Sequence, residues 1–122
     1  MKPTRPLKHS NQAPFWMLFG AGGMVSALIG AALVFLTGLA GPLGLFGAAN
    51  PIAYENLLAF ARNPLGGLFI FIVIALFLWH AAHRIYHTLH DFGIHLNAFW
   101  WMCCYGVAAL GSTVALVFLL RI

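Results

Sequence analysis

The sequence predicts an all-α integral membrane protein with three transmembrane helices, and three observations carry that prediction. Of its 122 residues, 62% are hydrophobic and 7% charged, with a mean hydropathy of +0.92; soluble domains average about 45–50% and about 25%. The apolar residues gather into three blocks, Phe15–Gly41, Leu65–Ala82 and Ala98–Leu120, broken in the second only by His80. Each block reaches the roughly 17–25 residues that cross about 30 Å of hydrocarbon as a helix. Alternation of period two is absent, so the backbone groups must be satisfied within each segment, as a helix does. This composition excludes an ordinary soluble enzyme, a disordered chain and a free nucleic-acid-binding domain, because a small globule buries only part of its apolar surface. The pI near 9.6 reflects six Lys and Arg against two Asp and Glu. That is a scarcity of charge rather than a basic patch, and no nucleic-acid partner is expected.

The chain is expected to be a single membrane domain over 1–122, with spans at about 15–41, 65–91 and 97–120. Pro14 before Phe15 and Trp16 marks the start of the first span, with aromatic side chains at the interface. A cleaved signal peptide competes for this segment, with Lys2, Arg5 and Lys8 as its charged region. The apolar block is far longer than the roughly 7–15 residues of a signal core, so it reads as a span that stays in the chain. Gly41-Pro42 and Gly44 stop the first helix. Residues Ala53–Phe60 read as a short amphipathic helix at the membrane surface. Asn63-Pro64 starts the second span and Asp91-Phe92-Gly93 ends it, with Gly93 just past the helix end. With Lys2, Arg5, Lys8 and Arg84 on one side and Arg62 and Arg121 on the other, the excess of basic residues predicts a cytoplasmic N-terminus and an external C-terminus.

Two stripes of small residues in the first span, Gly22-Ser26-Gly30 and Gly23-Ala27-Ala31, suit close helix packing. Val107, Gly111 and Ala115 form a weaker stripe in the third span. Three such helices do not enclose a pore by themselves, and packing against another membrane subunit is expected. Adjacent Cys103 and Cys104 are poorly placed for a disulfide or a metal site and read as small packing residues.

The chemistry-bearing residues sit at the end of the second span. At about 100° per residue, His80, His83, Arg84, His87, His90 and Asp91 share an arc of about 120°. Ionisable groups in a span usually face protein, a water-filled cavity or a ligand; snorkelling or lipid-headgroup binding is the plainer reading of the outermost ones. Zinc would use His83 and His87, but the Glu of a His-Glu-x-x-His motif and a third ligand are missing. A b-type haem would take His80 or His83 with a second His from another chain. A quinone needs hydrogen-bond donors and a proton acceptor near neutral pH, which Arg and His supply, and Trp16 or Phe15 would stack on its ring. Arg84 beside His83 favours the quinone over zinc, and no metal site is expected.

Three segments carry a family resemblance: Phe15-Trp16-Met17-Leu18-Phe19-Gly20-Ala21-Gly22-Gly23-Met24, Gly41-Pro42-Leu43-Gly44-Leu45-Phe46 and Leu78-Trp79-His80-Ala81-Ala82-His83-Arg84. They resemble the D-type membrane anchors of bacterial quinol:fumarate reductases of the complex II family, and the likeness runs from Pro14 into the third span, Tyr54-Glu55 included. The resemblance implies half of a heterodimeric anchor bundle in the bacterial inner membrane, not catalytic on its own, its N-terminus cytoplasmic and its C-terminus periplasmic. The sister is the C-type anchor of fumarate reductase; an iron–sulfur subunit and a flavoprotein subunit with covalent FAD complete a heterotetramer. It further implies that menaquinol is oxidised beside the iron–sulfur subunit in anaerobic fumarate respiration, with Trp16, His83 and Arg84 at the quinone. His80 and His87 are left with a proton-handling or haem role. His80 departs from the pattern: it resembles the haem-ligand position of succinate dehydrogenase anchors, where this family commonly lacks a ligand. Haem b is not expected but stays open, as do a succinate dehydrogenase-type anchor and a structural or small transport protein.

Overall fold

The computed structural model describes residues 12–48, 50–95 and 97–122, apart from the side chains of residues 12–15 and 18. The basic tail with Lys2, Arg5 and Lys8, and the Phe15 side chain, lie outside the described residues. Four α-helices and no strand are present among the described residues: α1 (Gln12–Phe35), α2 (Tyr54–Arg62), α3 (Pro64–Asp91) and α4 (Ala98–Arg121). Three helical segments, Phe19–Ala40, Pro64–Asp91 and Ala98–Arg121, are long and apolar enough to cross a membrane.

Helix α1 begins at Gln12, ahead of the expected start, with Pro14 inside its first turn, where a missing N–H leaves no intrahelical bond unmade. Its far end widens into a π-helical turn over Leu36–Ala40, closed by the Gly41 N–H donating to Leu36 O at 2.8 Å. The chain then turns through Gly44 and Gly47, at φ +66° and +56°. Asn63 caps α3, its side-chain oxygen accepting from Leu65 N at 3.0 Å and Gly66 N at 3.4 Å, with Pro64 in the first helical turn. At the other end Gly93, at φ +77°, takes the chain out of α3. Asn97 caps α4 in the same way as Asn63, accepting from Phe99 N and Trp100 N. Removing an N-cap oxygen costs about 1 kcal/mol. Asn63→Ala is therefore expected to lower stability by about that much, read as a small fall in the thermal midpoint of the detergent-solubilised protein, with Asn63→Asp close to neutral.

Helix α3 lies between α1 and α4 and packs on both, while α2 folds back on the start of α3. The three long helices thus form a row rather than a closed bundle. The α1–α3 seam is built on the small residues of α1. A Cβ on Gly22 would stand 2.9 Å from Leu76 O and 3.0 Å from the His80 Cβ, one on Gly23 would stand 2.8 Å from the His80 Cε1, and Gly30 faces the Phe77 ring. The glycines therefore serve packing within the chain, against a partner that the sequence alone does not name. Along the α3–α4 seam Ala82 and Ala108 are buried and the Leu78 side chain fills the space above Gly111. Little else is buried: Leu28, Val34, Val107 and Leu110 are all about 66–72% exposed. A row of apolar helices with both faces open is suited to lipid and a further membrane subunit. The two cysteines are free; Cys104 is half-buried and Cys103 is exposed on the single chain.

Candidate functional site

The start of α1, the end of α3 and the start of α4 meet at one end of the row. The antiparallel register of α1 on α3 runs from Gly30 opposite Phe77, through Gly22 opposite Leu76 and His80, to Phe19 opposite His83. His80 bridges this seam: its Nδ1 lies 2.9 Å from Phe19 O while its ring rests on Gly22 and Gly23. A carbonyl accepts, so Nδ1 carries the proton here. The bond satisfies a polar ring in an apolar span.

One turn on, the His83 ring is held on two sides. Phe19 stacks on it with ring centres 4.0 Å apart and planes 8° from parallel, and its Nδ1 lies 3.0 Å from the Tyr105 hydroxyl. Tyr105 in turn sits among Trp79, Tyr86 and Trp101, with centroid distances of 6.1, 5.7 and 5.4 Å. Its hydroxyl needs a partner in this aromatic nest and finds it in His83. With Nδ1 engaged, Nε2 is the nitrogen left for a ligand. His87 meets the His83 ring edge to face at 4.3 Å and is itself exposed. Together with Tyr86, His90, Gly93, Ile94 and His95 it lines an open cleft of about 670 Å³ where α3 gives way to the loop before α4.

The structure brings His80, His83 and His87 together with Phe19 and Tyr105, but not Trp16 and Arg84. Trp16 is 78% exposed. It stands one turn before Phe19, about 4.5 Å along the axis. Arg84 is exposed as well. Successive residues on a helix point about 100° apart, so His83, turned toward Tyr105, and Arg84 leave α3 on different flanks of the α1–α3 seam. Among the described residues no group of three or more His, Cys, Asp or Glu is arranged to hold a metal ion. Nor does His80 suit a haem iron. Its ring lies along α1 with Nε2 3.4 Å from where a Gly23 Cβ would stand, and a porphyrin on that nitrogen would run into α1.

Two residues of this arrangement, Phe19 and Tyr105, do not stand out in the sequence. Tyr105 carries a weak signal, a hydroxyl inside an apolar block one helical turn after Trp101. Phe19 carries none, being one of 11 phenylalanines.

Residues 6–120 match the family model of the fumarate reductase D subunit. Curated fumarate reductase D subunits are similar over nearly their whole length. The one from Vibrio vulnificus is 37% identical over 98% of both chains. That from Vibrio cholerae is 40% identical over 98% of this chain and 90% of its own, and that from Shewanella putrefaciens is 40% identical over 94% of each.

Proposed function

The chain belongs to the family of fumarate reductase D subunits, and from that premise we propose that it anchors a quinol:fumarate reductase and forms one wall of the quinol site. It would sit in the bacterial inner membrane, N-terminus inside, beside the sister C-type anchor. The iron–sulfur and FAD-bearing subunits would dock on the end where Phe19, His83 and Tyr105 meet. The observation that carries this reading is the His83 ring, fixed by Phe19 on its face and by Tyr105 at Nδ1, at the end of the row where Arg84 and Trp16 are exposed.

The chain's residues divide the work of holding a quinol and taking its protons. Trp16 offers an apolar face to the ring. Arg84 supplies a permanent cation and a fork of donors where negative charge develops on a quinol oxygen. The tautomer in which His83 Nδ1–H donates to the Tyr105 oxygen leaves the Nε2 lone pair to accept a proton. Since His83 and Arg84 diverge, they address a ligand lying across the end of the seam rather than a single atom between them. When bound, menaquinol supplies two electrons and two protons, the electrons passing to iron–sulfur clusters and flavin in the partner subunits. His80 is assigned here as the link between α1 and α3, and no haem role is proposed for it.

Purification of the tagged chain in mild detergent tests the reading. Copurification of a flavin-bearing and an iron–sulfur subunit, with quinol-dependent fumarate reduction, is the expected result; a lone oligomer of this chain overturns it. Within the complex, Tyr105→Phe removes one hydrogen bond, worth about 0.5–1.5 kcal/mol. It is expected to slow quinol-dependent turnover roughly 3- to 10-fold while leaving reduction of fumarate by a soluble dye donor unchanged, as parallel assays with the two donors would show.

A further inference from the structure

We infer that His87 carries the quinol proton from His83 to water, swinging between the His83 ring and the open cleft at the end of α3. The inference rests on the quinol reading above and extends it to the fate of the proton. Helix α3 repeats histidine at positions 80, 83, 87 and 90, but the structure gives the four different surroundings. His80 is tied to α1 and faces Gly22 and Gly23, so it leads nowhere. His83 is held by Phe19 and Tyr105 and cannot turn without breaking both contacts. His87 alone touches both sides of the path: its ring lies 4.3 Å from His83, and it lines the cleft that opens beside His90 and His95.

Exposed side chains change rotamer in picoseconds to nanoseconds, so the swing of His87 does not limit turnover at the rates typical of enzymes. The charged and titratable groups about it are His83, Arg84, Tyr86, His90 and Asp91 on its own helix, Tyr105 from α4 through His83, and His95 across the cleft. From α1, among the described residues, the Phe19 ring stacks on His83 beside it. The step balances simply. As the two electrons leave quinol for the iron–sulfur acceptor of a partner subunit, an O–H bond of the quinol breaks and its proton goes to His83 Nε2. A proton then passes to His87 and on to water in the cleft, restoring both neutral rings. The second quinol proton leaves by a route this chain does not specify.

The test uses the assembled complex and His87→Ala. Expected are a fall of about tenfold or more in the kcat of quinol-dependent fumarate reduction, up to the roughly 100-fold at the low end of what a direct general acid–base group contributes, an unchanged KM for quinol, and unchanged reduction by a soluble dye donor. Millimolar imidazole, small enough to enter the cleft, is expected to restore most of the lost kcat. A kcat at the wild-type level overturns the carrier, and so does a loss that imidazole leaves untouched or that comes with a raised KM, which marks His87 as part of the binding surface. Failure of the quinol reading is a separate result: the wild-type complex then shows dye-linked but no quinol-linked activity.

Discussion

Arg84→Leu is expected to cut quinol-dependent fumarate reduction about 10- to 100-fold while leaving dye-linked fumarate reduction intact. Hydrogen bonds to a charged group are worth about 1.5–3 kcal/mol, and each 1.36 kcal/mol of barrier is a factor of ten in rate. In the proposed site the guanidinium contributes through charge as well as through its donors, since negative charge develops on the quinol oxygen as its proton leaves. Arg84 is exposed, so its removal leaves no hole in the row of helices, and leucine is at home beside lipid. Arg84→Lys keeps the charge but loses the planar fork, and an intermediate rate is expected. The ratio of the two activities in one preparation is the measurement. Equal loss of both marks failed assembly, and a wild-type ratio removes Arg84 from the site.

The residues that make this test specific are visible in the sequence. In a chain with only eight charged residues, an arginine at the end of an apolar span beside a histidine stands out, because ionisable groups there are costly and need a reason. The element boundaries are equally legible where local chemistry fixes them. Asn63-Pro64 opens α3 and Gly93 closes it, because a cap oxygen, a proline in the first turn and a positive φ are decided by the residue itself. Asn97 does the same for α4 and is equally plain once the helix start is known. Not legible is anything set by which helices touch. The glycine stripe of α1 announces close packing but not its partner, which is α3 of the same chain. Tyr105 lies 22 residues from the histidine it holds, and no periodicity links two positions on separate helices. His80 shows the same limit from the other side: its sequence position suggests a ligand to iron, whereas its neighbours, Phe19 O and two glycines, make it a bridge between helices.

That bridge sets the second large effect. Gly22→Leu is expected to prevent a stable complex from accumulating, and Gly22→Ala to lower its thermal stability together with its quinol-linked activity. A Cβ at Gly22 lies 2.9 Å from Leu76 O, a backbone atom that cannot yield unless α3 moves, and overpacking a tight contact costs about 1–3 kcal/mol. Moving α1 off α3 breaks the His80 bond to Phe19 O and slides the Phe19 ring from His83, so the damage reaches the proposed site through packing alone. Gly20 is the internal control, since a Cβ there meets nothing within 4 Å and Gly20→Ala should leave the α1–α3 seam untouched. Gly23 separates the causes. The first atom a Cβ would meet there is the His80 Cε1, the far end of a side chain, so Gly23→Ala should be partly rescued by His80→Ala in the same chain. Gly22→Ala should not be rescued by that change, because backbone, not imidazole, stands in its way. Thermal unfolding of the purified complexes decides it: rescue at both positions would mean that the histidine ring alone holds the helices apart, and wild-type stability of both Gly22→Ala and Gly23→Ala would mean that α1 and α3 do not meet along this seam.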